Sequence, residues 1–361
     1  MKNITTKTLP VLALAFAALA IMPAACKKEK NEIVPDTAVV VDAVITGRVH
    51  TPTNTAVGAA TIIAGTYQTK SDKDGLFSLS VSKGDYTVII QTGSGHIFKT
   101  EIPVTVSAKE TVALTESQTL LVQIKPMAYI PGAYDEIETI IIDSLGYAAT
   151  QITYNDLDNL NYIKDFGGLF FNCSSGWVLD SLKYTNLEMY VNNWGSIYAS
   201  DFAVEYLTGD GNWRLANTSN PHPAHRNNSH EGGFSLMSTC ITPMLGGFLP
   251  DSSLCASKSG STGMVANADI YDPDIITLLG KDSIDIYYDL GGWEVISIVD
   301  APFTTIIEDN SGLNNGPLAV TCELNGAAVG GKIFYTTFHN HPQGSISPDI
   351  KNVLQYFILN L

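Results

Sequence analysis

The chain has 361 residues, 36 acidic and 20 basic, for a formal charge of −16 at pH 7. A surface of that sign repels phosphate backbones and excludes nucleic acid as an expected partner. With 45% hydrophobic residues, the length is ample for a packed core and suggests two domains.

Lys2 and Lys7, the apolar run from Leu9 to Met22 and Pro23-Ala24-Ala25-Cys26 give the charge, core and small-residue order of an export signal over 1–25. The run falls short of the about 20 apolar residues that a membrane span needs, so it is expected to be cut off. Two small residues directly before Cys26 resemble the lipobox of bacterial lipoproteins. That resemblance implies a diacylated Cys26 as the new N-terminus, with two acyl chains for stable anchoring. Pro23 stands where the lipobox usually has Leu, which leaves ordinary signal-peptidase cleavage as the alternative. Lys27 follows Cys26 where some bacterial systems carry an inner-membrane retention Asp, so the resemblance points to the outer membrane.

Residues 26–42 are charged, contain Pro35 and lack an amphipathic period, and read as a tether. From 43 to 122, short alternating segments are punctuated by Pro52, Asp74-Gly75 and Lys83-Gly84, which predicts an all-β sandwich. The order Gly47-Arg48-Val49, Asp72-Lys73-Asp74-Gly75-Leu76-Phe77 and Gly84-Asp85-Tyr86-Thr87-Val88 resembles the carboxypeptidase-regulatory-like domain. Phe77 and Tyr86 would be its core anchors. The sandwich belongs to a broad fold group that includes carbohydrate binders, and Tyr67 or Phe98, if exposed, would offer stacking faces for sugar rings.

Past Leu121 the pattern alternates between strands and helices. Strands are predicted at 127–130, 149–154, 168–172, 196–199 and 332–338, with helices at 135–145, 179–193, 202–207 and from about Pro348. Such alternation builds a parallel sheet covered on both faces. The predicted fold is therefore multidomain: an N-terminal all-β sandwich, then a C-terminal α/β, flavodoxin-like three-layer domain with a parallel sheet over 123–361.

In such a sheet, ligands bind beyond the carboxyl ends of the strands. That rule selects Pro131-Gly132, Asn172 to Gly176, Ser200-Asp201 and His339-Asn340-His341. Their order resembles the class I glutamine-amidotransferase-like fold, in which the elbow after a strand carries a nucleophilic Cys between glycines and a later His-Pro-Glu supplies base and orienter. Here Ser200 or Asp201 falls at the elbow and His339 at the histidine. Ala199 and Asp201 replace the flanking glycines, no Cys is at the elbow, and His341 replaces the Glu. Glutaminase chemistry is not expected. A serine activated by a histidine remains open, with Ser200 and His339 as the pair and Asp201 or Asp135 as orienter. The competing and favoured reading makes Ser200 the cap of the following helix, with Asp201 at its positive end.

Other clusters carry less. His222, His225 and His230 lie with Arg226 in a polar insertion and read as a solvated loop. His339 and His341 with Asp201 could hold a metal, but no metal and no cofactor are expected. Asp269, Asp272 and Asp274 lack the glycine and Glu of a calcium loop, and Asp272 reads as the N-cap of a helix whose first residue is Pro273. Cys240 and Cys255 could form a disulfide in an oxidising compartment, whereas Cys173 and Cys322 sit in apolar runs and read as buried thiols. The segments Asp285-Ile286-Tyr287-Tyr288-Asp289-Leu290-Gly291-Gly292-Trp293 and Tyr335 to Asn340 look like signatures of a bacterial subgroup of the same superfamily. The expected function is a non-catalytic binding or scaffold role in the cell envelope, with a membrane, a glycan or another envelope protein as partner. The alternative is a secreted hydrolase using Ser200 and His339 on a glycan, peptide or ester.

Overall fold

A computed structural model of the chain describes residues 41–174, 180–208, 238–240, 253–310, 312–313, 315–324, 331–340 and 347–361. The export segment, Cys26 and most of the tether lie outside the described residues, as do His222, His225, Arg226, His230 and His341. Among the described residues no helix is long and apolar enough to cross a membrane.

The alternating segments at the start become β1 (Ala43–Arg48), β2 (Thr61–Ala64), β3 (Tyr67–Lys70), β4 (Leu76–Val81), β5 (Gly84–Gln91), β6 (Lys99–Val106) and β7 (Thr111–Ala113). They make two sheets, ordered β4-β1-β7 and β3-β2-β5-β6. In β4, Phe77, Leu79 and Val81 are buried while their neighbours face water, as a half-buried strand requires. The turn before it is built by Asp72, whose Oδ1 accepts from Asp74 N at 3.0 Å and Leu76 N at 2.8 Å. Gly75 sits at φ +77, and a Cβ there would lie 2.3 Å from the Val49 carbonyl oxygen, so only glycine fits.

The second half contributes β8 (Met127–Ile130), β9 (Ala149–Gln151), β10 (Gly168–Phe171), β11 (Ser196–Ser200), β12 (Ser238–Cys240), β13 (Leu254–Lys258), β14 (Gly263–Ile270), β15 (Ser283–Tyr288), β16 (Glu294–Val299), β17 (Phe303–Asp309), β18 (Gly316–Glu323) and β19 (Lys332–Thr336). A nine-stranded sheet runs β15-β14-β17-β18-β19-β11-β10-β8-β9. It is parallel from β9 to β19 and antiparallel from β19 to β15. The expectation of a wholly parallel sheet is thus corrected to a mixed one. Within 263–323, β14, β15, β17 and β18 supply the antiparallel half, while β16 pairs with β13 in a separate three-stranded sheet, β12-β13-β16.

Successive residues of the central strands serve two separate cores. Phe170, Tyr198 and Phe334 belong to one buried cluster, while Leu169, Phe171, Ile197, Ala199, Ile333 and Tyr335 belong to the other. The period of two along a strand puts these sets on opposite faces of the sheet. On the first face lies the Pro348–Leu359 helix, capped by Ser347 Oγ accepting from Ile350 N at 3.2 Å, with Phe357 at 4.6 Å from Phe334 between ring centroids. On the second lies the Ser181–Asn193 helix, capped by Asp180 and burying Tyr184, Leu187, Tyr190 and Val191. The predicted helix at 135–145 forms as Ile137–Thr139 followed by a π-helical turn, Ile140–Ser144. Asp272 caps Pro273–Leu279 through Oδ1, with Pro273 in its first turn.

The strands of 43–113 share the first of these cores. Phe98 is 1% exposed and packs on Tyr147 with centroids 4.6 Å apart, and the Tyr147 hydroxyl donates to Leu121 O at 2.9 Å. Asn360 Oδ1 accepts from Gly93 N at 3.0 Å, and His96 Nε2 pairs with Gly167 O at 2.9 Å. One compact unit therefore runs from Val40 to Leu361. Burying a phenylalanine stabilises by about 1.5–3 kcal/mol, so the residue read as an exposed sugar platform serves as a seal between the two halves. Tyr67 is half-buried, with its hydroxyl 2.8 Å from Ser82 Oγ and its ring edge-on to Tyr86.

Candidate functional site

At the carboxyl ends of β8, β10, β11 and β19 the four selected loops interlock around one buried carboxylate. Asp135, 1% exposed, accepts from Ser200 Oγ at 2.5 Å through Oδ2 and from Asn340 N at 3.0 Å through Oδ1. Ser200 Oγ in turn accepts from Cys173 N at 3.1 Å. Asn340 Nδ2 donates to Glu136 O and to Thr139 Oγ1, both at 2.7 Å. Gly132 closes the group, since a Cβ there would lie 2.2 Å from Cys173 O.

Asp201 stands at the tip of the strand-to-helix elbow with φ +46. A left-handed conformation at a non-glycine residue costs about 1–3 kcal/mol and persists only where the surroundings hold it. Here Oδ1 accepts from Glu294 N at 2.7 Å, Oδ2 accepts from Cys173 Sγ at 3.3 Å, and the Asp201 carbonyl accepts from the Tyr335 hydroxyl at 3.2 Å. His339 Nε2 lies 3.7 Å from Asp201 Oδ2. The strained elbow is therefore present without glycine, and its tip is Asp201 rather than Ser200.

Among the residues selected from sequence, Asp201 and His339 come together and line one cavity. Ser200 is fully buried, does not line that cavity, and has its hydroxyl engaged by Asp135 and Cys173 N. It occupies the N-cap position of the Asp201–Val204 turn but makes no side-chain cap, because the same hydroxyl serves Asp135. Cys173 and Cys322 are free and buried. Cys255 is disulfide-bonded, and the β12–β13 register sets its Cα opposite that of Cys240.

The electrostatics follow from burial. Desolvation raises the Asp135 carboxyl to about 6, although His339, the Ser200 hydroxyl and Asn340 N all favour its charged form. Burial, reinforced by Asp201, pushes the Cys173 thiol well above its ordinary range. For His339, burial works against the charged ring, but Asp201, Asp135 and Asp289 outweigh it and raise its pKa.

The cavity beside this pair has a volume of about 560 Å³, within the range of small-molecule sites. Its walls include Tyr287, Tyr288, Trp293 and Phe338, with Asp201, Asp285, Asp289 and His339 as the charged groups. The wall is stiff. Tyr288 stacks on Trp293 at 3.8 Å and 11°, its hydroxyl pairs with Thr337 Oγ1 at 2.7 Å, and Trp293 Nε1 donates to Ser261 O at 3.0 Å. Tyr287 by contrast is 71% exposed at the rim. Sequence reasoning placed the histidine and the elbow. The strand-end rule also reaches the loop that holds Cys173, whose thiol reads from the sequence only as buried, while the Tyr287-Tyr288 and Trp293 segment stands out there without pointing to a cavity wall.

No family model matches the chain, and no curated protein matches it. Among solved structures it is similar to a GMP-synthase-subunit-A-like protein from Thermoplasma acidophilum, at 12% identity and a TM-score of 0.38, over 66% of this chain and 94% of that one. It is also similar to a ThuA-like protein from Bacteroides uniformis, at 9% identity and a TM-score of 0.34, over 64% of this chain and 89% of that one.

Proposed function

We propose that this chain is a lipid-anchored protein of the bacterial cell envelope whose cavity beyond the strand ends binds a carbohydrate unit without cleaving it. In this reading a carboxypeptidase-regulatory-like sandwich at 43–122 supports an amidotransferase-like α/β half at 123–361. The observation that carries the binding reading is the cavity of about 560 Å³ lined by aromatic rings and by the carboxylates of Asp201, Asp285 and Asp289. A sugar ring presents an apolar face that stacks on the exposed Tyr287 and hydroxyls that donate to the exposed Asp285 and Asp289. The carboxylates and the formal charge of −16 disfavour phosphorylated ligands. The non-catalytic part rests on the engaged groups: the Ser200 hydroxyl and both Asp201 oxygens already have partners.

The test is a glycan array probed with the full chain, followed by calorimetry on each hit. Retention of a neutral or amino sugar, weakened about tenfold by Tyr287→Ala, supports the reading. An array without hits, or capture of polyamines or choline compounds instead, removes it. The anchor is tested separately by labelling cells with a palmitate analogue, where incorporation lost in Cys26→Ala is the expected result and no incorporation overturns it.

A further inference from the structure

Cys173, Asp201 and His339 follow three neighbouring strands, β10, β11 and β19, and meet at one point behind the cavity. Their ligand atoms, Sγ, Oδ2 and a ring nitrogen, all lie within 4.8 Å of one another. Cys173 Sγ lies 3.3 Å from Asp201 Oδ2, and His339 Nε2 lies 3.7 Å from the same oxygen. A tetrahedral ion bound to sulfur at about 2.3 Å and to nitrogen and oxygen at about 2.0–2.1 Å holds its ligand atoms about 3.3–3.6 Å apart. Both edges to Asp201 Oδ2 thus match such a polyhedron within a few tenths of an ångström, and the third, from Cys173 Sγ to the His339 ring, is within 4.8 Å.

We infer that Cys173, Asp201 and His339 bind one divalent ion of the zinc class, with the fourth coordination position facing the cavity. The donor set selects the metal. One sulfur, one imidazole and one carboxylate suit a borderline-soft ion, whereas calcium and magnesium take oxygen ligands. The direction of the open position follows from exposure: Asp201 and His339 line the cavity, whereas Cys173 is fully buried and does not. The supports that orient ligands in metal sites are also in place. Glu294 N fixes Asp201 Oδ1, Ser200 Oγ fixes the backbone of Cys173, and Asp135 ties Ser200 to the Asn340 amide next to His339. On binding, the Cys173 S–H bond breaks and a sulfur–metal bond forms, the His339 ring coordinates in its neutral form, and the thiol proton, with that of any protonated His339, passes to the buffer. No electron changes hands. The site stands on its own geometry and does not depend on what occupies the cavity.

Cobalt(II) titrated into the full chain, after chelation and in buffer without reductant, reads the site through the thiolate-to-cobalt charge-transfer band. The absence of reductant keeps the Cys255 disulfide closed. The expected result is one equivalent of cobalt with that band, displaced by zinc, retained in Cys322→Ser and lost in Cys173→Ser. Because Cys173→Ser alters a packed position, His339→Gln is the second variant. It is expected to lower zinc affinity by more than the about 10–100-fold typical of an outer-shell partner, with the circular dichroism of the folded chain unchanged. A titration that gives no thiolate band, or a band that survives Cys173→Ser, overturns the inference. Cobalt held elsewhere on the acidic surface produces no such band and is counted with the negative results.

Discussion

Replacing Asp135 by Asn separates the two ways in which this buried carboxyl acts on stability. Its carboxyl is raised from 3.8 to about 6, mainly by burial, so the folded chain keeps a proton that the unfolded chain has already lost. Stability from this group is complete below about pH 4 and is lost as pH rises through about 6. At 1.36 kcal/mol per pH unit, that loss amounts to about 3 kcal/mol. The amide of Asn does not titrate, so this slope disappears in the variant. The amide has one acceptor oxygen, however, for two donors, Ser200 Oγ and Asn340 N. One donor loses its partner, a cost of about 1–3 kcal/mol that is the same at every pH. Urea unfolding of both proteins between about pH 4 and about pH 7 distinguishes an offset from a slope. The wild-type chain is expected to be the more stable at the acid end, with its advantage shrinking by about 3 kcal/mol toward neutrality. Two parallel curves would refute the reasoning, because the Asp135 proton would then be held equally in both states.

Three further substitutions test the packing around the site. Ser200→Ala removes the hydroxyl bridge between Cys173 N and Asp135 and is expected to cost about 1–3 kcal/mol in urea unfolding. Serine-directed fluorophosphonate probes are expected to leave the wild-type chain unlabelled, and labelling that Ser200→Ala abolishes would restore the hydrolase reading. Phe98→Ala opens a cavity between the sandwich strands and Tyr147 and is expected to cost about 3–5 kcal/mol, measured by calorimetric unfolding. A loss below about 1 kcal/mol would mean that the two halves do not depend on that contact. Gly132→Ala drives a methyl toward Cys173 O, and thermal unfolding should report a destabilisation of about 1–3 kcal/mol together with weaker cobalt binding at Cys173.

The parallel half of the sheet was legible because each of its strands is a short apolar run followed by a turn signal. Met127–Ile130 before Pro131-Gly132 and Gly168–Phe171 before Asn172 lie where the sequence puts them. The antiparallel half was not, because the pairing of β14 with β15 and of β17 with β18 shifts register at bulges, which breaks period-two alternation. The capping roles of Asp272 and Pro273 were readable from chemistry alone. Burial was harder to read. Phe98 looks like a surface aromatic until Tyr147, 49 positions along the chain, is seen to cover it. The site shows the same division. His339 and the Ser200-Asp201 elbow follow from strand ends, but nothing local distinguishes which of the two residues takes the left-handed conformation. The Glu294 amide and the Tyr335 hydroxyl that hold Asp201 there come from distant strands. Cys173 read as one more apolar side chain, and only the convergence of three strands gives it two polar neighbours.

The most direct test of the binding reading is amide hydrogen exchange with and without a sugar identified on the array. Protection is expected at β15 (Ser283–Tyr288), through Trp293, and at Thr337 to Asn340, which together frame the cavity. Protection confined to the sandwich strands of 43–113, or none anywhere, would contradict the account.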